Sequence, residues 1–321
     1  IGIDIGSTTV KVVVLDEQNN LLFRSYERHF SKVREKTCEI LERIKDKLLG
    51  HQVRMVITGS AGLGVSKASG IDFVQEVYAT AAAVDTFIPG TDAVIELGGE
   101  DAKIIFFGGA LEERMNGSCA GGTGAFIDQM ATLMNVTSDE LDKLALKHEK
   151  IYPIASRCGV FAKSDIQPIL NQGGRKEDVA ASIFQAVVDQ TIAGLTQGRE
   201  LKGKIVFLGG PLHFLMGLRE RFVETLQLDE EHAIFPEDGD CFAAIGAIKR
   251  EMNSQKWTWF AIGYQCGFAY AIALMVNQFG ALFTGNGNVL GVIVGVVLLA
   301  FIVYMLVKPY KEATKLTAKI K

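Results

Sequence analysis

The chain has 321 residues, with 33 Lys and Arg against 37 Asp and Glu and 48% hydrophobic side chains, averages that conceal two unlike parts. Trp257 to Val307 is a run of 51 residues without Asp, Glu, Lys or Arg, which a water-facing surface does not tolerate. Six Lys and one Glu give residues 256–321 a charge of +5, so the net −4 leaves −9 on residues 1–255; an acidic body without a basic patch excludes a nucleic-acid binder. Five Cys at irregular spacing exclude a disulfide framework and favour a reducing compartment. Ile1 opens inside a strand pattern without an initiator Met, so a short N-terminal piece is expected to be missing.

In chain order, residues 1–16, IGIDIGSTTVKVVVLD, predict a strand, a tight polar turn and a second β-branched strand. Amphipathic helices are predicted near 31–49 and 74–87. Residues 93–108, AVIELGGEDAKIIFFG, repeat the opening pattern: with an offset of 92, Asp4 falls on Glu96, Gly6 on Gly98 and Lys11 on Lys103. Helices follow near 124–134, 138–148 and 177–197, then a strand and turn in KIVFLGGPLHF at 204–214, a helix in GLRERFVETLQL and another near CFAAIGAIKREM. Strands mixed with helices, duplicated, predict an α/β body of two related lobes, roughly 1–85 and 86–253, followed by a distinct segment 254–321.

The repeated turns carry residues suited to phosphate chemistry. Gly6 lets the backbone approach an anion, Ser7, Thr8 and Thr9 offer hydrogen-bond donors, Lys11 supplies charge, and Asp4 is placed to hold a hydrated Mg²⁺. At the matching place in the other half stand Glu96, Gly98, Gly99, Glu100 and Asp101. Two such hairpins facing one cleft would clamp a polyphosphate and its metal from both sides, with the turn Gly209, Gly210 and Pro211 leaving room for a base or ribose against backbone. No GxxxxGK[ST] is present and no GxGxxG follows the first strand, which excludes a P-loop and disfavours a Rossmann cofactor.

Cys119 in NGSCAGGTGAFIDQMA and Cys158 in ASRCGVFAKSDIQPIL each precede a predicted helix start, where unpaired amides and the dipole lower a thiol's pKa and favour an anionic thiolate or cluster. One chain offers two such thiols, a [4Fe–4S] cluster takes four, and a two-fold homodimer would supply them. Cys38, Cys241 and Cys266 are read as packing residues, and His29, His51, His148, His213 and His232 as surface or locally bonded.

At DIGSTTVK, IELGGEDAK, SCAGGTGAFIDQMA and SRCGVFAKSDI, in that order, the body resembles the activator ATPases of 2-hydroxyacyl-CoA dehydratases and the related benzoyl-CoA reductase ATPase subunits. The resemblance implies the duplicated actin-like and sugar-kinase-like (ribonuclease H-like) fold over about residues 1–250, ATP or ADP with Mg²⁺ in the cleft, and a homodimer. It further implies one [4Fe–4S] cluster ligated by Cys119 and Cys158 of both subunits, an upstream ferredoxin or flavodoxin donor, and a 2-hydroxyacyl-CoA dehydratase-like electron acceptor. Asp4, Glu96 and Glu100 would be catalytic; Glu96 stands where the family has Asp, and Glu100 where it has Gln.

The tail resembles the last two transmembrane helices of ferrous iron transport protein B, at WTWFAIGYQCGFAYAIALMVNQFGALF and VLGVIVGVVLLAFIVYMLVKPYK. Each run is about long enough to cross a ~30 Å hydrocarbon core. Lys256 before the first run and five Lys from Lys308 onward put both ends in the cytoplasm by the positive-inside rule. The expected protein is a cytoplasmic ATPase anchored in the inner or plasma membrane through residues 257–307. Two rivals stay open: a sugar or small-metabolite kinase of the same superfamily, and a membrane-anchored regulatory or iron-transport-related component.

Overall fold

The computed structural model describes residues 1–116, 121–155 and 159–283, with Ile293, Val297, Ala300 and Tyr304. Two compact units are distinguished, Ile1–Glu251 and Met252–Lys321.

In the first unit, β1 (Gly2–Ile5) and β2 (Thr9–Leu15) form an antiparallel hairpin, and β3 (Leu21–Arg28) continues the meander. Helix α1 (Val33–Leu48) leads to β4 (Val56–Thr58), parallel to β1, and α2 (Gly62–Ser69) leads to β5 (Asp72–Phe73), parallel to β4. Helix α3 (Glu76–Phe87) crosses to the second sheet, where β6 (Ala93–Leu97), β7 (Ala102–Phe106) and β8 (Glu112–Asn116) repeat the meander. Four helices follow: α4 (Gly124–Leu133), α5 (Ser138–Ala145), α6 (Gly159–Asn171) and α7 (Lys176–Thr196). Strand β9 (Ile205–Leu208) then pairs parallel to β6; α8 (Gly210–Phe214) and α9 (Met216–Leu226) lead to β10 (Ala233–Ile234), and α10 spans Phe242–Phe283.

The sheet orders β3-β2-β1-β4-β5 and β8-β7-β6-β9-β10 are one mixed topology used twice. The repeat extends to register, because Asp4 faces Lys11 across the first hairpin and Glu96 faces Lys103 across the second. It extends also to the parallel strands. Gly59 after β4 and Gly209 after β9 both have φ of 92°, and an added Cβ would strike the carbonyl of Ile5 in one half and of Leu97 in the other. A residue with a side chain fits neither place.

The elements form where the apolar pattern allows burial. Val10, Val12 and Val13 are fully buried, since both faces of a central strand are covered. In α1, Thr37, Ile40 and Ile44 mark the buried stripe at helical spacing. Thr137 and Glu140 form a capping box that starts α5. Ile3, Ile5, Val12, Ile40 and Ile57 pack in one core, and Ile95, Ile104, Phe126, Phe184 and Phe222 in another. Between them, Val13, Val84, Val94, Val206 and Ala244 share a layer that joins the two halves. Each such side chain contributes about 1.5–3 kcal/mol of burial.

Among the described residues, the helix long and apolar enough to cross a membrane is α7, and 67% of it is buried inside the protein, as a core helix is. The first predicted tail span lies on α10. The second, with the loop before it, lies outside the described residues apart from its four single positions. In the Met252–Lys321 unit, Trp259, Phe260, Ile262, Tyr270 and Ile272 are exposed.

Candidate functional site

The turn between β1 and β2 places Gly6, Ser7 and Thr8 at the end of a buried hairpin. The Gly6 amide donates to the Thr9 carbonyl at 2.9 Å, and the Thr8 carbonyl accepts from the His29 amide at 3.1 Å. His29 is 6% exposed. Its Nδ1 accepts from the Ser31 amide at 3.1 Å, so Nε2 carries the proton and donates to the Gly6 carbonyl at 3.1 Å. The expectation of a surface or locally bonded His fails here: this imidazole braces the loop from 23 residues away. Its place depends on β3 returning alongside β2, which residue spacing did not reveal.

Asp4, with a side chain 2% exposed, binds Lys11 Nζ at 2.7 Å through Oδ2. Burial alone would lower the Lys11 pKa, but Asp4 and then Tyr26 outweigh it and raise it. The expected free charge of Lys11 is therefore already matched by Asp4. Asp4 Oδ1 is buried with no hydrogen-bond partner.

The second hairpin differs. Lys103 Nζ lies 2.6 Å from Glu76 Oε1, 3.2 Å from Asp101 Oδ2 and 3.8 Å from Glu96 Oε1, with its side chain 3% exposed. One ammonium faces three carboxylates. Burial, reinforced by Glu76 and Asp101 against the pull of Lys103 and Lys11, raises the Glu96 pKa to about 7. Thr80 donates to Glu96 Oε2 at 3.4 Å. Lys103 takes the place that the repeat gives to Lys11, and Glu76, at the start of α3, joins the site although nothing in its spacing connects it to the hairpin. Glu100 is exposed and stands apart from the residues lining the cavities described next.

The two loops meet. A Cβ added at Gly99 would overlap Thr8 Oγ1, so glycine is needed there for the approach of one hairpin to the other. The α4 amides of Gly124 and Ala125 donate to the carbonyls of Gly98 and Gly99 at 3.0 and 2.7 Å, which fixes the second loop on a helix start. A narrow cavity of about 20 Å³ is lined by Gly6, Ser7, Lys11, Glu76, Glu96 and Asp101, among others. A larger one of about 400 Å³ is lined by Arg28, Asp128, Pro211 and Phe214, among others. Thr8, Thr9, Tyr26, Gly99 and Gly210 line both.

Of the turn Gly209, Gly210 and Pro211, Gly210 and Pro211 line the larger cavity, and Gly209 and Gly210 the narrow one. An added Cβ would meet the Tyr26 hydroxyl at Gly210 and the Leu97 carbonyl at Gly209.

For Mg²⁺, the donors are of the right class: carboxylates and hydroxyls surround the narrow cavity, and Asp4 Oδ1 is a buried orphan that a metal-bound water would satisfy. Among the described residues no three His, Cys, Asp or Glu side chains converge as a ligand set. A bound Mg²⁺ would thus draw most of its ligands from water and phosphate, as that ion commonly does.

Cys119 and Cys158 lie outside the described residues. The helices beyond them, α4 and α6, pack together, with Gly159 against the Gln129 side chain. The packing role expected of the other three Cys holds for Cys241, which is buried and whose thiol pKa is raised by burial and then by Asp240. It fails for Cys38 and Cys266, which are exposed.

Comparison with known proteins adds to this geometry. The chain is similar to the 2-hydroxyisocaproyl-CoA dehydratase activator of Clostridioides difficile, 30% identical over 222 residues that make up 65% of this chain and 79% of that protein. It is also similar to the (R)-2-hydroxyglutaryl-CoA dehydratase activating ATPase of Acidaminococcus fermentans, 31% identical over 217 residues, 65% of this chain and 82% of that one. The crystallised activator of the 2-hydroxyisocaproyl-CoA dehydratase from Clostridium difficile, with bound ADPNP, superposes with a TM-score of 0.71 at 26% identity, covering 81% of this chain and 96% of that one. The duplicated sheets are those of the actin-like and sugar-kinase-like ATPase fold. The model of the BadF/BadG/BcrA/BcrD ATPase family matches residues 1–248. With its paired hairpins and that match over most of its length, the chain belongs to the BadF/BadG/BcrA/BcrD ATPase family.

Proposed function

We propose that the protein is an ATP-hydrolysing activator that delivers a low-potential electron to a 2-hydroxyacyl-CoA dehydratase-type partner. The observation that carries the reading is the pair of matching hairpins, Asp4 with Lys11 and Glu96 with Lys103, whose loops touch at Thr8 and Gly99. The names of the similar activators supply the partner class, and the ADPNP in the superposed structure supplies the ligand class.

In this reading the amides and hydroxyls of Ser7, Thr8 and Thr9 and the backbone of Gly98 and Gly99 hold the phosphates. Asp4 would hold Mg²⁺, which would supply charge neutralisation on the phosphates. Glu96, unable to find a full counter-ion in Lys103, accepts a proton from the attacking water, and ADP and phosphate leave. Asp101 keeps Lys103 oriented. Glu100, exposed at the turn, contributes to the second loop's charge rather than to the proton transfer.

The electron function rests on Cys119 and Cys158. Two from each subunit of a homodimer would hold one [4Fe–4S] cluster, which supplies one-electron transfer when bound. A ferredoxin or flavodoxin reduces the protein by one electron, and the dehydratase-type partner takes that electron. The packing of α4 on α6 joins the helices that follow the two Cys in sequence, and the amides of Gly124 and Ala125 tie α4 to the second phosphate loop. Motion of that loop on hydrolysis would be passed to α4 and, through its packing, to α6.

The tail is proposed as a membrane hairpin, resembling that of ferrous iron transport protein B, with both ends cytoplasmic. The charge-free run Trp257–Val307 and its flanking Lys support this, as do the exposed Trp259, Phe260 and Tyr270. Residues 1–253 would form the ATPase and 254–321 the anchor.

The test is anaerobic purification of the full chain followed by iron and sulfide analysis, oligomeric state and ATP turnover. About four irons per dimer, lost on Cys119→Ser or Cys158→Ser while ATP binding remains, is the expected result. ATP turnover with no iron and no visible absorption after reconstitution would leave the ATPase and remove the electron function.

A further inference from the structure

The edge strand β3 turns Arg24, Tyr26 and Arg28 to one face, as alternate residues of a strand do; they pair with Val13, Lys11 and Thr9 of β2. All three reach the second half of the body. Arg24 binds Asp238 at 2.7 Å and the fully buried Asp240 carboxylate at 3.1 Å. The Tyr26 ring meets Phe214 of α8 edge-on at 5.3 Å, with its hydroxyl against Gly210. Arg28 binds Asp128 of α4 at 2.7 Å.

Tyr26 also stands where the two cavities join, since both are lined by it and by Gly210, Thr8 and Gly99. The narrow cavity, at about 20 Å³, has room for about one water and not for a phosphate chain. The larger, at about 400 Å³, falls in the range of small-molecule pockets. A nucleotide with its base and sugar in the larger cavity and its phosphates in the narrow one passes the shared lining, where Tyr26 closes on Gly210 and Thr8 on Gly99.

We infer that Arg24, Tyr26 and Arg28 form a latch that holds the two halves closed across the nucleotide's path, with Tyr26 as its bolt. The inference rests on reading the cleft as an adenine-nucleotide site. Opening carries the first sheet away from α4, α8 and the loop after β10, and all three contacts break together. Each half keeps its own core, and the buried layer of Val13, Val94 and Val206 that joins them stays as the hinge, so releasing the latch frees the cleft without dissolving either fold. Its closed form keeps Thr8 on Gly99 and shields the carboxylates around Lys103 from water.

The experiment is stopped-flow binding of fluorescent N-methylanthraniloyl-ADP to the full chain, comparing wild type with Tyr26→Ala, Tyr26→Phe and the double variant Arg24→Ala/Arg28→Ala. Each contact is worth a factor of a few, so Tyr26→Ala and the double variant should speed association by about fivefold to tenfold. Tyr26→Phe, which keeps the ring on Phe214, should change it less. The double variant leaves Tyr26 in place and keeps the test open if Tyr26→Ala does not fold. Unchanged association in the variants, or slower association and weaker binding with Tyr26→Ala, overturns the latch. Failure of the wild type to bind any adenine nucleotide would instead remove the reading of the cleft.

Discussion

The two hairpins share a backbone and differ in charge. In the first, one buried carboxylate, Asp4, meets one ammonium, Lys11, at 2.7 Å. In the second, Lys103 is shared by Glu76, Asp101 and Glu96 at 2.6, 3.2 and 3.8 Å. A matched pair is electrostatically satisfied and holds a shape, whereas a three-to-one cluster retains net negative charge and a carboxyl that takes up a proton near neutrality. The two halves thus share a geometry and differ in what it holds, a one-to-one ion pair in the first and one ammonium among three carboxylates in the second.

The largest effect should come from removing the shared cation. Lys103→Met leaves three carboxylates crowded in a mostly buried place, and loss of one partner of a buried pair costs about 3–5 kcal/mol. Lys11→Met leaves only Asp4 and should cost less. Chemical denaturation of both variants measures the difference, and equal losses would break the comparison.

The next effect is in pH. Glu96 has its folded pKa raised to about 7, against roughly 4.3 for an unperturbed Glu. Between those values the folded state binds more protons than the unfolded one, so stability falls as pH rises from about 4.3 to about 7 and levels off above. The span corresponds to about 4 kcal/mol for this group. Glu96→Gln should flatten that part of the stability profile. A profile unchanged by Glu96→Gln would show that the cluster does not hold its proton there.

Much of this was legible in the sequence, because the offset of 92 aligns strand against strand and turn against turn. Asp4, Gly6 and Lys11 fall on Glu96, Gly98 and Lys103, and the structure puts the paired residues at equivalent registers. Local signals were sufficient there. What spacing left out depends on long-range approach: the strands β3, β4, β5, β8 and β10, the arrival of Glu76 from α3 beside Lys103, and the position of Tyr26 across from Gly210. The β-branched run of β2 announces burial; nothing in the sequence of β3 announces that its alternate residues face another lobe. Glu100 was singled out by its place in the turn, yet a turn's tip is where a side chain most easily points to water.

The smallest effect should separate how each loop is braced. The Gly6 carbonyl accepts from the His29 side chain at 3.1 Å, whereas the equivalent Gly98 carbonyl accepts from the Gly124 backbone amide at 3.0 Å. A side-chain brace can be removed by substitution without touching the helix that braces the other loop. His29→Ala leaves the Gly6 carbonyl and the Ser31 amide without these partners, at a cost of about 1–2 kcal/mol. His29→Gln offers an amide that can again donate to Gly6 and should recover part of the loss. Hydrogen exchange should then quicken at the amides of Gly6 to Thr9 and remain unchanged from Gly98 to Asp101. Equal quickening of both loops would mean that Thr8 against Gly99 couples the two more strongly than either brace holds its own.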